Sequence, residues 1–385
     1  MASKCNAARR ESSMAAATTT TLPLDVVFSI LAHLPVKTLS RFRCVSQSWS
    51  ALISSPSFIK SHHQRSKQSP LLFITTTELT KADAKHGHPK YILVQDMKGR
   101  SRDRQMAKFM VTQPSRYLQL AVSCLNLVCL YDEYDIYVRN PSTNEGITLT
   151  KTSSQFGSAC RYCSCRKVAF AYLASTSEYK VFQIYMISGR GEHTFACEVF
   201  TLGTARWRVI GGPPFTVHCS NNAIVAEAIH FLPAWFDVHH GESNGLARFD
   251  LRKEEWSAQL LPLPQYFHDA DNARGGVFRL REMRGMLSLA RIGGSKMELW
   301  LLKDYDKGVW VKEYNINVPE LSLPLKIEED GRVLLEMRGG KLRFYDQKDG
   351  DFEEIYDGNN TLRVSFFVES FMSLDDESFR SLKSM

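Results

Sequence analysis

The chain has no long apolar run and no secretory signal. No stretch of its 385 residues approaches the about 18–20 apolar residues that a membrane-spanning helix needs. Residues 1–20 contain only scattered alanine and methionine in place of a signal-peptide core. They also contain Arg, Ser and Ala with a single acid, as transit peptides do, but the interpretation that we favour is a disordered tail. We therefore expect no membrane partner.

Motifs of catalytic, cofactor and metal sites are also missing. The segment 189–191, Gly-Arg-Gly, lacks the third glycine of a dinucleotide-binding turn, and no Gly-Lys-Ser/Thr loop is present. No Ser, Cys or Thr has the local signature of a nucleophile. Histidines in segments 86–88 and 237–240 lie among loop-forming residues, which favours surface loops over metal sites. We predict a protein that is not an enzyme and has no cofactor.

The nine cysteines are odd in number and irregularly spaced. Without a signal peptide they indicate reduced thiols and a location in the cytoplasm, the nucleus or both. Cys160, Cys163 and Cys165 could supply three thiolates to zinc, with Cys197 and His193 as the nearest further ligands. No second Cys/His pair follows at zinc-finger spacing. Buried or loop thiols are the interpretation that we favour.

The net charge of +7 is confined to the first part of the chain. Residues 1–70 contain nine Lys or Arg against two acidic residues, whereas the other 315 residues have 39 of each sign. A large domain that binds nucleic acid would concentrate the positive charge on itself. We therefore expect no nucleic acid, and an acidic protein as the partner of the N-terminal segment.

The segment 22–58 predicts three short helices with more apolar surface than they can bury. Pro23 is suited to a helix start and Pro35 to the next one. Apolar residues at helical spacing form three stripes: Leu24, Val27, Phe28 and Leu31; Val36, Leu39 and Phe42; Val45, Trp49, Leu52 and Ile53. Because Ile30 and Leu34 lie off these stripes, the surplus must pack against the rest of the chain or against another protein.

The order of residues in this segment, LPLDVVFSILAHLPVKTLSRFRCVSQSWSALISSPSF, resembles the F-box, particularly its plant form. The resemblance covers about 40 residues without a gap. Departures are mild: Ala32 and His33 stand where Ser-Arg or Cys-Arg is more common, and Gln47 stands where Lys is usual.

The resemblance implies that the surplus apolar surface binds the Skp-type adaptor of a cullin–RING ubiquitin ligase. That adaptor is acidic in the family, in agreement with the charge distribution. Trp49 and Leu52 would instead hold the helices together. The implied adaptor contacts are Leu22, Pro23, Ile30, Leu31, Leu34, Pro35, Leu39, Cys44 and Val45.

Beyond a polar and basic linker at 62–70, the apolar pattern alternates, which is typical of strands. Five similar units follow, at 125–149, 179–210, 227–260, 284–316 and 331–356. Their aromatic residues Trp207, Trp256, Trp310 and Phe352 recur at intervals of 49, 54 and 42 residues. Such a repeat predicts the blades of a β-propeller, about six in number, with a sandwich or an open barrel as the alternative.

The same region weakly resembles the F-box-associated, kelch-like region of plant F-box proteins. The resemblance lies in Arg139-Asn140-Pro141-Ser142-Thr143-Asn144, Phe249-Asp250-Leu251 with Trp256, Leu299-Trp300 with Trp310, and Leu342-Arg343-Phe344-Tyr345-Asp346. The paired glycines of true kelch repeats are not regularly present, so "kelch-like" describes architecture only.

The predicted fold is therefore multidomain: a small all-α three-helix F-box followed by an all-β, β-propeller-like domain. The expected divisions are a tail at 1–20, the F-box at 21–61, a linker at 62–70, the propeller-like domain at 71–370 and a C-terminal tail at 371–385.

The resemblance implies a non-catalytic, substrate-recognition subunit of an SCF-type ligase, joined through the adaptor to cullin and RING subunits. Its target is an unknown protein. The alternatives are a binding module that does not promote ubiquitination and, less favoured, a propeller enzyme. Aromatic residues in loops are candidate target contacts. They are Phe215, Trp235, Phe236, Tyr266 and Phe267.

Overall fold

A computed structural model describes residues 22–68, 70–76, 91–96, 105–108, 119–120, 126–132, 135–143, 145–149, 166–188, 193–204, 206–233, 245–264, 276–356 and 361–371. The chain divides into two compact units, Met1–His62 and His63–Met385. In the described part of the chain, no helix has the length and apolar character needed to cross a membrane.

The described part of the first unit contains four helices, one more than the sequence predicted. They are α1 (Leu24–Leu31), α2 (Val36–Phe42), α3 (Gln47–Ser54) and α4 (Pro56–Gln68). The correction concerns α4, because the segment 62–70 that was predicted as a linker is helical up to Gln68. The sequence did not predict this helix because the segment is polar.

Local sequence explains where these helices begin. Pro23 and Pro35 immediately precede α1 and α2 in an extended conformation. Ser46 caps α3, since its Oγ accepts a hydrogen bond from the Trp49 backbone N at 3.2 Å. Ser55 caps α4 in the same way, and Pro56 occupies the first helical position, where the missing N–H has no consequence.

The fourth helix completes the core of the helical unit. Leu31, Val36, Leu39, Ile53 and Phe58 are almost fully buried. The Phe58 ring of α4 meets the Phe28 ring of α1 edge-on, with centroids 5.1 Å apart. As predicted, Trp49 helps to hold the helices together, because its ring packs on Phe42 of α2 at 5.4 Å.

The second unit is all-β in its described part. Its strands are β1 (Leu71–Thr76), β2 (Tyr91–Asp96), β3 (Gln105–Lys108), β4 (Gln119–Leu120), β5 (Val128–Tyr131), β6 (Ile136–Arg139), β7 (Gly146–Leu149), β8 (Lys167–Leu173), β9 (Glu178–Ser188), β10 (His193–Thr201), β11 (Arg208–Ile210), β12 (Val217–Val225), β13 (Ala228–Pro233), β14 (Gly245–Asp250), β15 (Glu255–Trp256), β16 (Leu261–Pro262), β17 (Val277–Met283), β18 (Met286–Gly293), β19 (Lys296–Asp304), β20 (Val309–Asn317), β21 (Ser322–Ile327), β22 (Val333–Met337), β23 (Leu342–Tyr345), β24 (Phe352–Tyr356) and β25 (Thr361–Phe367).

These strands form six antiparallel sheets, which agrees with the predicted number of about six blades. The strand orders are β4-β5-β6-β7, β8-β9-β10-β11, β12-β13-β14-β15 with β16 beside β14, β17-β18-β19-β20, β21-β22-β23-β24, and β25-β1-β2-β3. Each sheet except the last follows the chain order, so that each is one blade of consecutive strands.

Buried clusters join each sheet to the next. Alternate residues of a strand face opposite neighbours. In β8, Val168 and Phe170 pack with the β4–β7 sheet, whereas Ala169 and Ala171 pack with the β12–β16 sheet. Three further clusters join the β12–β16, β17–β20, β21–β24 and β25-β1-β2-β3 sheets in turn. The sheets therefore stack side by side in a circular order, as propeller blades do.

The first and last described strands of the all-β unit lie in one sheet. The last strand, β25, pairs antiparallel with β1, and Leu71 lies opposite Phe367. The buried Asn140, in the turn after β6, donates from Nδ2 to the Ser370 carbonyl oxygen at 3.1 Å. This bond ties the segment after β25 to the neighbouring β4–β7 sheet. The pairing of β1 with β25 and this bond close the ring.

The recurring aromatic residues pack between their own blade and the preceding one. Trp207, Trp256, Trp310 and Phe352 all pack in a cluster shared with the preceding sheet. Trp256 Nε1 also donates to the Gly211 carbonyl oxygen of that sheet, and Trp310 Nε1 to the Pro262 carbonyl oxygen, both at 2.8 Å. The repeat that the sequence shows is therefore a repeat of contacts between blades.

The five sequence units correspond to the second, third and fourth strands of five sheets and omit the first strand. First strands lie nearest the ring centre, because β8, β12, β17 and β21 contact one another from sheet to sheet. The turns that follow them lie at one end of the ring, where Ser175 bonds to Glu227 and Arg284 to the Glu328 carbonyl oxygen.

We call that side the hairpin end. It contains the turns 174–177, 226–227, 284–285 and 328–332. Since neighbouring strands are antiparallel, the first strands begin at the opposite side, the crossover end. There the chain turns at 294–295 and 338–341 and passes between sheets at 211–216 and 318–321.

An ion cluster bridges the β8–β11 and β12–β16 sheets. Lys180, which is 5% exposed, donates from Nζ to the Glu254 Oε1 at 2.7 Å and to the Leu251 carbonyl oxygen at 2.9 Å. Arg208 Nε donates to the Glu254 Oε2 at 2.8 Å. Burial alone would raise the pKa of Glu254, but these two cations hold that pKa below its usual value.

We predict that Glu254→Gln lowers the free energy of unfolding by about 3 kcal/mol, because it leaves the buried Lys180 ammonium without a counter-charge. The matched control is Glu353→Gln, since Glu353 pairs with Arg332 but its side chain is 64% exposed. We expect less than about 1 kcal/mol there. Urea unfolding measures both values, and equal losses would contradict the interpretation.

A buried histidine joins the next pair of sheets. His230 on β13 is fully buried, and its Nε2 forms a hydrogen bond with the Tyr305 hydroxyl at 2.5 Å, just beyond β19. Burial, with the charge of Arg248 acting in the same direction, lowers the pKa of His230 from 6.5 to about 4. The folded chain therefore keeps this imidazole neutral where an unfolded chain binds a proton.

We predict a loss of stability as the pH falls from 6.5 to about 4, because only the unfolded state gains a proton at His230 in that window. The contribution is fully present above pH 6.5 and amounts to about 3 kcal/mol. His230→Gln should flatten the dependence in thermal unfolding measured across this range. The control His33→Gln, at an exposed position, should not, and equal slopes for wild type and His230→Gln would refute the assignment.

Candidate functional site

Most of the predicted adaptor-contact residues lie on the surface of the helical unit. Leu22, Ile30 and Val45 are 63%, 50% and 62% exposed. Pro23, Pro35 and Cys44 are also exposed, and Leu34 is half-buried. Apolar side chains at these positions remain in contact with solvent within the described chain, which is the property that a docking surface requires.

Two residues of the predicted set are in the core instead. Leu31 is 1% exposed and Leu39 is fully buried. They are as buried as Ile53 of α3 and Phe58 of α4, and so belong to the interior of the helical unit. We therefore remove them from the candidate surface, because replacing either would affect folding before it affected a partner.

Two residues that the sequence did not indicate belong to this surface. Leu24, which was predicted in a buried stripe, is 67% exposed, and Val26 is 39% exposed. Val26 and Ile30 are separated by four residues and so lie on one side of α1, away from the buried Leu31. The four-residue spacing of Val26 and Ile30 is the feature of the sequence from which this exposed side of α1 could have been predicted. We call the surface residues the exposed apolar set: Leu22, Pro23, Leu24, Val26, Ile30, Pro35, Cys44 and Val45.

The concentration of this set distinguishes it from ordinary surface residues. Of the nine large apolar side chains that the described chain exposes, five lie between Leu22 and Val45. The other four are distributed over the much longer all-β unit. Single exposed apolar residues need no explanation, but a concentration in one small unit indicates an interaction site.

The charge of the helical unit is strongly positive. Asp25 is the only acidic residue in segment 22–68, against six Lys or Arg. Lys37 and Arg41 of α2 are exposed, and the structure shows no salt bridge to either among the residues it describes. The unit that carries the exposed apolar set is therefore basic, which favours an acidic partner.

A histidine of α4 fixes the loop between α1 and α2. His62 is 3% exposed, and its Nε2 donates to the Leu34 carbonyl oxygen at 2.9 Å. The ring also stacks on Phe58 with centroids 6.1 Å apart. Burial lowers the pKa of His62, so the imidazole is neutral at physiological pH. It therefore holds Leu34 and Pro35 in position without adding charge.

The structure supports the predicted target contacts less well than the predicted adaptor contacts. Phe215 is half-buried and packs against the cluster between the β8–β11 and β12–β16 sheets, so it is not an exposed anchor. Trp235, Phe236, Tyr266 and Phe267 lie outside the described residues.

A cleft of about 880 Å³ lies at the hairpin end beside β21 and β22. Its lining includes Glu328, Asp330, Arg332 and Glu353. The whole lining has five acidic and four basic residues, and Arg332 binds both Asp330 at 2.8 Å and Glu353 at 3.1 Å. The cleft has no cluster of one charge that would select a ligand.

The candidate metal ligands receive no support. Within the described chain, no group of three His, Cys, Asp or Glu residues could hold a metal ion. Cys197 is fully buried in an apolar cluster, and burial raises the pKa of the likewise buried Cys129. Cys160, Cys163, Cys165 and the segments 86–88 and 237–240 lie outside the described residues, as does 189–191.

Comparison with protein families gives two matches that divide the chain as the structure does. Residues 20–61 match the F-box domain. Residues 71–332 match the F-box associated beta propeller domain, a match that covers more than half of the chain. The two sequence resemblances, including the weaker one in the all-β region, are thereby confirmed.

Similar curated proteins are named as F-box proteins. An F-box/kelch-repeat protein of Arabidopsis thaliana is 26% identical over 348 residues, which cover 86% of this chain and 89% of that protein. An F-box protein of the same plant is 24% identical over 382 residues, with 87% of each chain covered. Among solved structures, AztD from Citrobacter koseri is 10% identical with a TM-score of 0.37, over 80% of this chain and 83% of that one.

Proposed function

The chain belongs to the family of plant F-box proteins with an F-box-associated β-propeller domain, and we propose that it is the substrate-recognition subunit of an SCF-type ubiquitin ligase. In this proposal the helical unit binds a Skp-type adaptor, which connects it to cullin and RING subunits. The propeller binds a protein that is then ubiquitinated and degraded.

The observation that carries the proposal is the exposed apolar set on a basic helical unit. Burial of exposed side chains such as Leu22, Ile30 and Val45 in an interface contributes about 25 cal/mol for each Å² removed from water. The surrounding positive charge favours an acidic surface, as expected for the adaptor. Apolar contacts would then supply affinity and charge would guide association.

In this proposal the propeller binds the target protein and does not itself catalyse a reaction. A ubiquitin-conjugating enzyme would carry the reactive thioester, and the F-box subunit would raise the local concentration of a target lysine beside it. Propeller loops on a rigid ring are suited to such recognition. The buried Cys129 forms no disulfide, which fits a reducing compartment, and we propose the cytoplasm, the nucleus or both.

We predict that Ile30→Gln combined with Val45→Gln weakens binding of a purified Skp-type adaptor at least about tenfold, because both substitutions remove apolar area from the interface core. Stability should be nearly unchanged, since both side chains are exposed. Isothermal titration calorimetry measures affinity, and thermal unfolding measures stability.

The matched control replaces Val309 and Val311 with Gln, because these β20 valines are 44% and 41% exposed in the other unit. Adaptor binding should not change in this control. Unchanged binding by the Ile30/Val45 variant would contradict the proposal.

Proximity labelling in cells, with the proteasome inhibited, separates a ligase subunit from a binding module that does not promote ubiquitination. Proteins labelled by wild type that accumulate with the Ile30/Val45 variant would support the ligase. If labelled proteins never accumulate, a module without ubiquitination is the better interpretation.

We also predict that Lys37→Gln with Arg41→Gln lowers adaptor affinity by several-fold and reduces its dependence on salt, because exposed charges are screened at high ionic strength. Arg252→Gln with Lys253→Gln, in the exposed turn after β14, is the control. Association rates measured at low and high salt test both pairs. An unchanged salt dependence for the Lys37/Arg41 variant would show that the partner surface is not acidic at this contact.

A further inference from the structure

Ser46 is an exposed serine at the border of the exposed apolar set. It lies between α2 and α3 and directly follows Cys44 and Val45, two members of that set. Its backbone is extended, with φ −159° and ψ 159°, so the residue stands outside both helices. The proposed adaptor surface therefore borders an accessible serine.

Two arginines precede this serine, Arg41 by five residues and Arg43 by three. Many protein kinases select substrates by charge, because acidic groups in their peptide groove pair with arginines that precede the acceptor hydroxyl. Arg41 is suited to such a pair, since it is exposed and no salt bridge holds its side chain in the described part of the chain. Arg43 is half-buried and already interacts within the chain, so recognition of the folded protein depends chiefly on Arg41.

The segment around Ser46 can take the extended form that a kinase groove requires. Residues 43–46 lie between the helices, and Arg41 belongs to the last turn of α2. Helix ends open at little cost in free energy, because their terminal backbone groups have no intrahelical partners. A kinase therefore needs to open only the last turn of α2 to reach both the serine and Arg41.

Phosphorylation of Ser46 would not unfold α3. The Ser46 Oγ accepts a hydrogen bond from the Trp49 backbone N at 3.2 Å and lies 3.0 Å from the Ser48 Oγ. Phosphate oxygens accept hydrogen bonds from the same kind of N–H group, and negative charge is favourable at the beginning of a helix. The modification therefore changes the charge of the surface while the helix keeps its cap.

We propose that an arginine-directed protein kinase phosphorylates Ser46 and that the phosphate prevents adaptor binding. This inference rests on the proposed function, since it adds regulation to the adaptor surface. In the reaction the Ser46 Oγ attacks the γ-phosphorus of ATP, the bond from that phosphorus to the bridging oxygen breaks, and ADP leaves. The hydroxyl proton passes to a carboxylate of the kinase.

A phosphate beside Val45 opposes adaptor binding for two reasons. A phosphoserine has about two negative charges near neutral pH, and an apolar interface would remove the water that stabilises them. These charges also repel an acidic partner, which the basic helical unit otherwise attracts. Both effects act on the complex and not on the free chain, so the phosphorylated protein stays folded without its adaptor.

The test compares adaptor binding before and after treatment of the full chain with an arginine-directed kinase and magnesium ATP. Mass spectrometry locates the phosphate, and isothermal titration calorimetry measures affinity for a purified Skp-type adaptor. We expect phosphate on Ser46 and an affinity at least about tenfold lower after treatment. Ser46→Asn should show equal affinity before and after treatment, because Asn caps a helix as well as Ser does but has no hydroxyl to phosphorylate.

Phosphoserine incorporated during synthesis tests the effect without a kinase. At Ser46 it should lower adaptor affinity at least about tenfold. The matched control is phosphoserine incorporated at Ser57, an exposed position of α4, which contributes no residue to the exposed apolar set. There the same charge should lower affinity by less than about threefold, because solvent screens it.

Two single substitutions test how the kinase recognises the chain. Arg41→Gln should slow phosphorylation of Ser46 several-fold, because it removes the exposed cation that pairs with the kinase. Arg65→Gln, at an exposed position of α4, should not change the rate. Equal rates for the two variants would show that Arg41 does not direct the kinase.

Four outcomes would overturn the inference. They are no phosphate on Ser46 after treatment, unchanged adaptor affinity with phosphoserine at Ser46, an equal loss with phosphoserine at Ser57, and loss of cooperative thermal unfolding in the phosphorylated chain. Binding by the unmodified chain separates this inference from the proposed function. If the unmodified chain does not bind the adaptor, the proposed function is wrong, whereas binding that survives phosphorylation contradicts only the inference about Ser46.

Discussion

Five sheets of the all-β unit, from β4–β7 to β21–β24, are apolar on both faces in their described residues, and the architecture depends on covering both. Neighbouring residues such as Val168 and Ala169 on β8 belong to two different buried clusters. A sheet of this kind is not stable alone in water, because half of its apolar side chains would be exposed. Stacking sheets in a circle covers every face, since a closed ring has no terminal sheet. The recurring aromatic residues pack in the same way at successive contacts between sheets.

The helical unit, unlike the ring of sheets, leaves part of its apolar surface uncovered. This difference separates the two units by function. The interior of the helical unit is filled by residues such as Leu39 and Phe58, while Ile30 and Val45 remain in solvent. The ring has few large apolar residues on its described surface.

Sequence reasoning predicted the features that depend on regular spacing. The intervals between Trp207, Trp256 and Trp310 indicated a ring of blades because each tryptophan repeats one contact. The first strands were not recognised, since side chains near the ring centre, such as Arg279 and Asn221, interrupt the apolar pattern. Helix α4 was missed because its second half is polar. Without α4, Leu31 and Leu39 could not be distinguished from surface residues, as apolar side chains do not reveal what covers them.

The pairing of β1 with β25 has a consequence for synthesis of the protein. A ribosome releases β1 before the other described strands and β25 after all of them, so one edge of β1 stays unpaired until β25 emerges. A chain that stops before residue 361 lacks the strand that completes this sheet, and its ring stays open. Closure of the ring therefore waits for the synthesis of every blade.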